Sequence, residues 1–493
     1  MSNQHEFNEL IKMKVVYLTF SKNNSTGYMV NIFTCLKYSL LFLLTAFLLI
    51  SCSRSDKSAS KAVAIIEDRV ITSDEFAFAY ELAPRNITQL GKEKAYSILL
   101  DGMIDRVLFA KEGKRRDLDK DSILQRAVDY FERAAVVREL YLKHIRDSVK
   151  VSDDEMRSAY KKSKTTLYLK NFLATNRDDA EKISKGLLTI SHTPLLSGLK
   201  SIETEKFGAL DIISWNDVKQ EIEDIVFNLP LHKRSRPYFD GKFYHTFEVV
   251  EKEINAMTTE NDYYANKPAM ESAIRKRKEH KKAFEFVQRT MKPQHLIIKA
   301  ESLNELTFKI WKIHNHDENA IDQYLDNKEI QSLSEKNKNL LNQNLADFKY
   351  GTLTVSDFIF TYKMNPYQLS FKSKQSIREN LKNMIAIYVR DFVFSEQGMK
   401  EGLDKKPSVK KEVRNCEERL LANKLKRNLY EQLAQSISDS TKLIEEYNLT
   451  LKNFAQELRA KSKVHIDKNV MKEIKTTDEG LPRKIDFFAI RVQ

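Results

Sequence analysis

Residues 68–84 read "DRVITSDEFAFAYELAP", and residues 351–366 read "GTLTVSDFIFTYKMNP". At an offset of 282, Thr72 meets Thr354, Phe76 meets Phe358, Tyr80 meets Tyr362 and Pro84 meets Pro366. At 285, Gly113 meets Gly398, and Leu118-Asp119-Lys120 meets Leu403-Asp404-Lys405. At 286, Ser152-Asp153 meets Ser438-Asp439. So small a drift over so long a stretch reads as an internal repeat, two copies of one structural unit.

The chemistry of the first copy says what that unit is. Residues 62–72 read as two short strand pieces around an Asp-Arg turn. Thr72 or Ser73 can cap the helix that follows, with Glu75 placed as in a capping box. Tyr96, Leu100, Met103 and Val107 form one apolar stripe at helical spacing. Leu124, Val128, Phe131, Ala135, Leu142 and Ile145 form another, so two long amphipathic helices follow. Ser152 and Glu155 mark the start of a further capped helix.

The texture changes between the copies. Residues 165–175 are strand-like, 177–188 and 218–229 helical, and 241–253 alternate, with Phe243, His245, Phe247 and Val249 on one side. Residues 254–345 read as a charged, mostly helical connector, whose "RKRKEHKK" (275–282) is a solvated helix face. Residues 463–474 offer a short strand and a helical turn, and 484–492 a last strand. Only 12 Gly and 9 Pro occur in 493 residues, which suits long helices and argues against an all-β sandwich.

Residues 40–52, "LLFLLTAFLLISC", are too short an apolar run to span a membrane, which takes about 20 residues. They have the length of a signal-peptide core, with Lys37 before them and a polar stretch after. The end, Leu49-Ile50-Ser51-Cys52, resembles the bacterial lipobox, which implies cleavage before Cys52 and a lipid on its thiol. Met29 opens a compact signal peptide, and residues 1–28 read as a start-site extension or a long n-region.

The chain carries 82 Lys+Arg against 69 Asp+Glu, a net charge of +13. The charges are interleaved and come with no nucleic-acid-binding motif, so no nucleic-acid partner is expected. Of the three cysteines, Cys35 leaves with the signal, Cys52 is the lipid site, and Cys416 lies on a helical apolar stripe, so there is no disulfide framework. His314 and His316 lack further ligands at zinc spacing, and no metal or cofactor is expected.

The order of segments resembles the periplasmic foldases of the SurA and PrsA type. The resemblance rests on "EDRVITSDEFAFAY" (67–80), "AYSILLDGMIDRVLFAKEGKRRDLDKD" (95–121), "VSDDEMRSAYKKSK" (151–164) and a strand, helix, helix, strand unit ending in "GKFYHTFEVVE" (241–251). It implies a mainly α fold with an α+β parvulin-like domain and two repeated SurA N-domain-like helical units. The implied domains are 1–51 signal, 52–61 lipidated tether, 62–164 first helical domain, 165–253 parvulin-like domain, 254–345 connector, 346–460 second helical repeat and 461–493 terminal strands.

The family's isomerase site carries over only in part. Where the family has His-Ile-Leu, this chain has Asn171-Phe172-Leu173, while Tyr244-His245 fits the last strand. Val218, Ile222 and Phe227 fall where the proline pocket is built. The implied function is a lipid-anchored chaperone at the periplasmic face of a bacterial envelope. It would bind unfolded or nascent exported and outer-membrane proteins, with weak or lost prolyl isomerase activity. An active parvulin-type isomerase and a structural lipoprotein without clients are the alternatives.

Overall fold

The computed structural model describes residues 60–474 and 476, apart from 189, 191–192, 194–198, 256–258, 315–322 and 337. Cys52, the signal segment, His316 and the strand expected at 484–492 lie outside the described residues. The fold is mainly helical with small antiparallel sheets.

In chain order, strands β1 (Ala62–Ile66) and β2 (Arg69–Thr72) form a hairpin, followed by helices α1 (Ser73–Glu81), α2 (Lys92–Arg115), α3 (Ser122–His144) and α4 (Asp153–Ser163). Glu75 N–H donates to Thr72 Oγ1 at 3.3 Å, the cap expected from the sequence. Ser152 and Glu155 form a full capping box at α4, each side chain accepting from the other's backbone.

An α+β lobe then interrupts the helices. It contains β3 (Thr165–Ala174), α5 (Arg177–Ser184), β4 (Lys200–Thr204), β5 (Gly208–Ile213), α6 (Gln220–Val226), β6 (Tyr238–Phe239) and β7 (Tyr244–Ile254). Its strands make one antiparallel sheet in the order β4-β5-β3-β7-β6. The helical body resumes with α7 (Glu260–Met291), β8 (Ile297–Ile298) and α8 (Ala300–Ile313). It continues through the hairpin of β9 (Asn344–Phe348) and β10 (Gly351–Thr354), then α9 (Val355–Met364), α10 (Lys374–Lys400), α11 (Pro407–Ala434), α12 (Ser440–Lys461) and β11 (Val464–Ile466).

Hairpin, helix and two long helices thus occur twice. In both passages the long helices are joined by a 3₁₀ turn of sequence Leu-Asp-Lys, entered through a left-handed residue, Asp117 (φ 58°) or Gly402 (φ 71°). Thr354 and Asp357 build a capping box at the start of α9.

The described residues divide into a small compact unit, comprising residues 60–64, 70–78 and 466–474, and a large one holding the rest. In the small unit, Asp467 N–H donates to Val63 O at 2.9 Å, and Ser73 N–H to Lys61 O at 2.8 Å.

In the large unit each passage's first long helix packs on the other passage's second one. Helix α2 lies on α11, α10 lies on α3, and α3 and α11 meet. The contacts come in matched pairs. Gly113 faces Leu421, while Gly398 faces Val136. Phe109 stacks on Phe454 at 5.7 Å, while Phe394 meets Phe286 edge-on at 5.3 Å. The strands follow the same rule. Glu67 N–H donates to Lys463 O at 2.9 Å, and Lys349 N–H to Gln294 O at 3.0 Å. The sheets run β11-β1-β2 and β8-β9-β10, so a distant strand completes each hairpin.

Residues 254–345, expected as a connector, are helical in α7 and α8. Ala283, Phe286, Leu303, Leu306 and Ile310 enter the main core with Val136, Leu140, Phe358, Leu381 and Phe394. Burial of each such large side chain contributes roughly 1.5–3 kcal/mol.

Candidate functional site

The α+β lobe brings Asn171 and His245 together through strand register. Antiparallel pairing of β3 with β7 sets Leu173 opposite His245 and Asn171 opposite Phe247. Residues two apart on a strand share a face, so the amide and the imidazole point the same way. His245 Nδ1 lies 3.0 Å from Asn171 Oδ1, and both residues are buried. Asn171 Nδ2 donates to Thr193 O at 3.0 Å, which fixes the amide with its oxygen toward the ring.

The second ring nitrogen is also engaged. His245 Nε2 lies 3.1 Å from Asp240 Oδ2. Asp240 sits in the Asp-Gly turn between β6 and β7. Its Oδ1 accepts from Lys242 N and Phe243 N, both at 2.7 Å. Gly241 takes φ +104° there, which side-chain-bearing residues rarely adopt. The Phe243 and Lys242 amides, with His245, hold the Asp240 carboxyl down at about 2 against the opposing effect of burial. Phe247 stacks beside the ring at 6.0 Å.

Of the apolar residues named from the sequence, Val218 and Ile222 pack with Phe247, the residue stacked beside the His245 ring. Val218 and Ile222 are buried with Leu167, Leu169, Phe247 and Val249 in the lobe's core, and Phe227 is half-buried at its margin. Lys162 lies over the Phe227 ring at 5.6 Å. On α6, buried Glu223 accepts from Arg277 Nη2 at 2.7 Å, Asn216 N at 3.1 Å and Lys162 Nζ at 3.2 Å. Burial would raise its carboxyl, and these partners outweigh that and lower it. Glu223 therefore ties the lobe to α4 and α7.

Sequence reasoning placed His245 and Asn171 and missed Asp240. The signal was present in "FDGKF" (239–243), an Asp-Gly turn between alternating residues. His314, considered as half of a metal pair, lies 2.7 Å from Glu329 and stacks on Phe371 at 3.6 Å. Among the described residues no cluster of His, Cys, Asp and Glu is fit to hold a metal.

No family model and no curated protein matches the chain. Among solved structures, a SurA-like chaperone of Campylobacter jejuni is similar at 16% identity. It covers 48% of this chain and 100% of its own, with a TM-score of 0.23. The peptidylprolyl isomerase PrsA of Bacillus anthracis covers 38% of this chain and 97% of its own at 15% identity and a TM-score of 0.20. PrsA of Bacillus subtilis covers 47% and 92% at 17% identity and a TM-score of 0.15. Scores this low carry no weight for function.

Proposed function

We propose that this chain is a lipid-anchored envelope chaperone that holds unfolded or extended segments of exported proteins, outer-membrane proteins included. In this reading its parvulin-like lobe isomerises prolyl bonds weakly or not at all. The observation that carries the reading is the inward engagement of His245. A prolyl amide rotates across a barrier of roughly 18–20 kcal/mol, uncatalysed in tens to hundreds of seconds. A site that speeds this must grip the proline ring and turn polar groups toward the twisting amide. Here His245 is 5% exposed, and Asn171 and Asp240 take both its nitrogens. The burial of Val218 and Ile222 in the lobe's core beside Phe247 supports the same reading.

What the lobe offers a client is surface. Phe239 is 51% exposed and packs on Tyr244 at 4.7 Å, directly beside His245 on β7. Contacts of this kind accept many sequences, because they read apolar side chains and backbone rather than one motif. The matched halves of the helical body support descent from one duplicated unit. Cys52, in its lipobox-like setting, is the anchor that keeps the protein at a membrane. Among the described residues no helix is long and apolar enough to cross one.

The test is a photo-crosslinking residue placed at Phe239 in intact cells, with a control at exposed Glu285. Exported polypeptides in an unfolded state captured from Phe239 and not from Glu285 are the expected outcome. Equal or no capture at the two positions would remove the Phe239 surface of the lobe as a client-holding site.

A further inference from the structure

The second half of the body contains a half-open cavity of about 690 Å³, walled by α3, the tip of the β9–β10 hairpin, α9 and α10. We propose that this cavity is a second binding site, which takes the uncharged aromatic or aliphatic side chains of an extended polypeptide. The proposal deepens the client-holding reading by adding a site away from the lobe, and it has its own test.

The matched half explains why the cavity exists. At the offset of 282, Gly351 corresponds to Arg69. The Arg69 side chain is 5% exposed, and it donates to Glu418 at 2.6 Å and to Asn415 Oδ1 at 2.8 Å. At 285, Glu418 and Asn415 correspond to Arg133 and Tyr130, both of which line the cavity. The first hairpin therefore fills its notch with its own long side chain. The second has glycine at that place and leaves the notch open.

The walls define what fits. Tyr130, Phe360, Tyr367, Tyr388 and Phe392 supply aromatic surface. The charged groups of the lining are already matched. Arg126 pairs with Asp357 at 2.6 Å and lies over Phe360 at 4.1 Å. Arg133 pairs with Glu396 at 2.7 Å and Asp129 at 3.0 Å, and lies over Phe392 at 4.7 Å. Arg138 pairs with Glu412 at 2.5 Å, and Asp391 with Arg390 at 2.7 Å. A charged ligand would have to compete with these pairs and pay for its own desolvation, whereas a neutral ring meets a neutral wall. The volume lies within the roughly 300–1,000 Å³ of sites that enclose organic ligands, enough for more than one side chain.

The hairpin makes the occupant a peptide. Lys299 N–H donates to Leu345 O, and Lys349 N–H to Gln294 O, so Leu345 and Lys349 face the β8 side. By alternation Ala346 and Phe348 face β10, where they oppose Leu353 and Gly351. Thr352, between those two, turns its N–H and C=O outward on the edge strand beside the cavity. An extended segment can pair with that edge and drop alternate side chains inward.

The probe is a fluorescent peptide of alternating threonine and phenylalanine, titrated by anisotropy into the purified full chain. The control peptide carries lysine in place of phenylalanine. Ala134 is exposed on α3 within the cavity wall, so Ala134→Trp fills the space without touching a paired charge. Thr352→Pro removes the outward N–H. We expect each variant to weaken the phenylalanine peptide about tenfold or more, while circular dichroism and crosslinking from Phe239 stay as in the parent. Unchanged binding to Ala134→Trp overturns the site, as does equal binding of the lysine peptide. Binding that emerges only after removal of residues 477–493 assigns the cavity to the chain's own tail and overturns the foreign-peptide reading. Loss of capture at Phe239 with these results intact would sink the lobe's role alone.

Discussion

Gly113 and Gly398 occupy matched places on α2 and α10, yet alanine should act on them with opposite sign. In a helix interior alanine is favoured over glycine by about 1 kcal/mol. At Gly113 an added Cβ meets Leu421 O, Cβ and Cδ2 at 3.5–3.7 Å, ordinary van der Waals contact. Gly113→Ala should therefore stabilise by up to about 1 kcal/mol. At Gly398 the added Cβ falls well inside contact with Val136 Cγ1. Val136 is fully buried, and a β-branched residue in a helix cannot swing aside. Overpacking of this kind costs about 1–3 kcal/mol, so Gly398→Ala should come out between neutral and about 2 kcal/mol destabilised. Urea denaturation followed by far-UV circular dichroism measures both. The cycle of Gly398→Ala with Val136→Ala adds a coupling of about 0.5–3 kcal/mol, because removing Cγ1 relieves the overlap. Equal or higher stability of Gly398→Ala relative to Gly113→Ala, with no coupling to Val136, would refute the exchanged packing of α10 on α3.

Replacing Cys52 with Ser should release the protein from the membrane pellet into the soluble fraction, since acyl chains contribute about 0.8 kcal/mol per buried methylene; retention after a salt wash would remove the anchor. His245→Ala leaves the buried Asn171 oxygen without its partner, which costs about 1–3 kcal/mol. Turnover of a proline tetrapeptide by the full chain should be low before and after that change, and robust turnover abolished by it would make the protein an isomerase. The Glu401 carboxyl, which burial would raise, is brought down to about 2 chiefly by Lys143 and His144 of α3. Its folded value lies below the ordinary 4.5, so its contribution to stability is present above that value and lost as pH falls toward 2. Glu401→Gln should flatten the acid limb of a stability–pH profile, and an unchanged limb would exclude the Lys143–Glu401 pair as its source.

Local chemistry was legible along the chain. Caps at Thr72 and Ser152 announce helices because their hydroxyls satisfy backbone donors within three residues. The alternation around His245 announces a strand because the side-chain period of a strand is two. The matched words at Thr72 and Thr354, Gly113 and Gly398 announce two similar passages, since equal sequence makes equal local structure. The pairing of Asn171 with His245 was half legible: the residues were visible, but that they engage each other depends on the register of β3 against β7. Asp240 escaped notice because its role comes from an Asx turn that closes on a strand-borne ring.

Local patterning yields a set of pieces: two hairpins, their capped helices and an α+β insertion. Which piece packs on which is a property of the folded chain. An apolar stripe records that a helix must be covered, and Leu421 covers Gly113 as readily as Val136 covers Gly398. Whether each passage closes on itself or on its partner is a choice between contacts of nearly equal chemistry, made by the geometry of the whole chain. The same holds for the cavity. Gly351 in place of Arg69 is one letter in the sequence, and it becomes an open site only because Tyr130 and Arg133 arrive from a helix more than two hundred residues away.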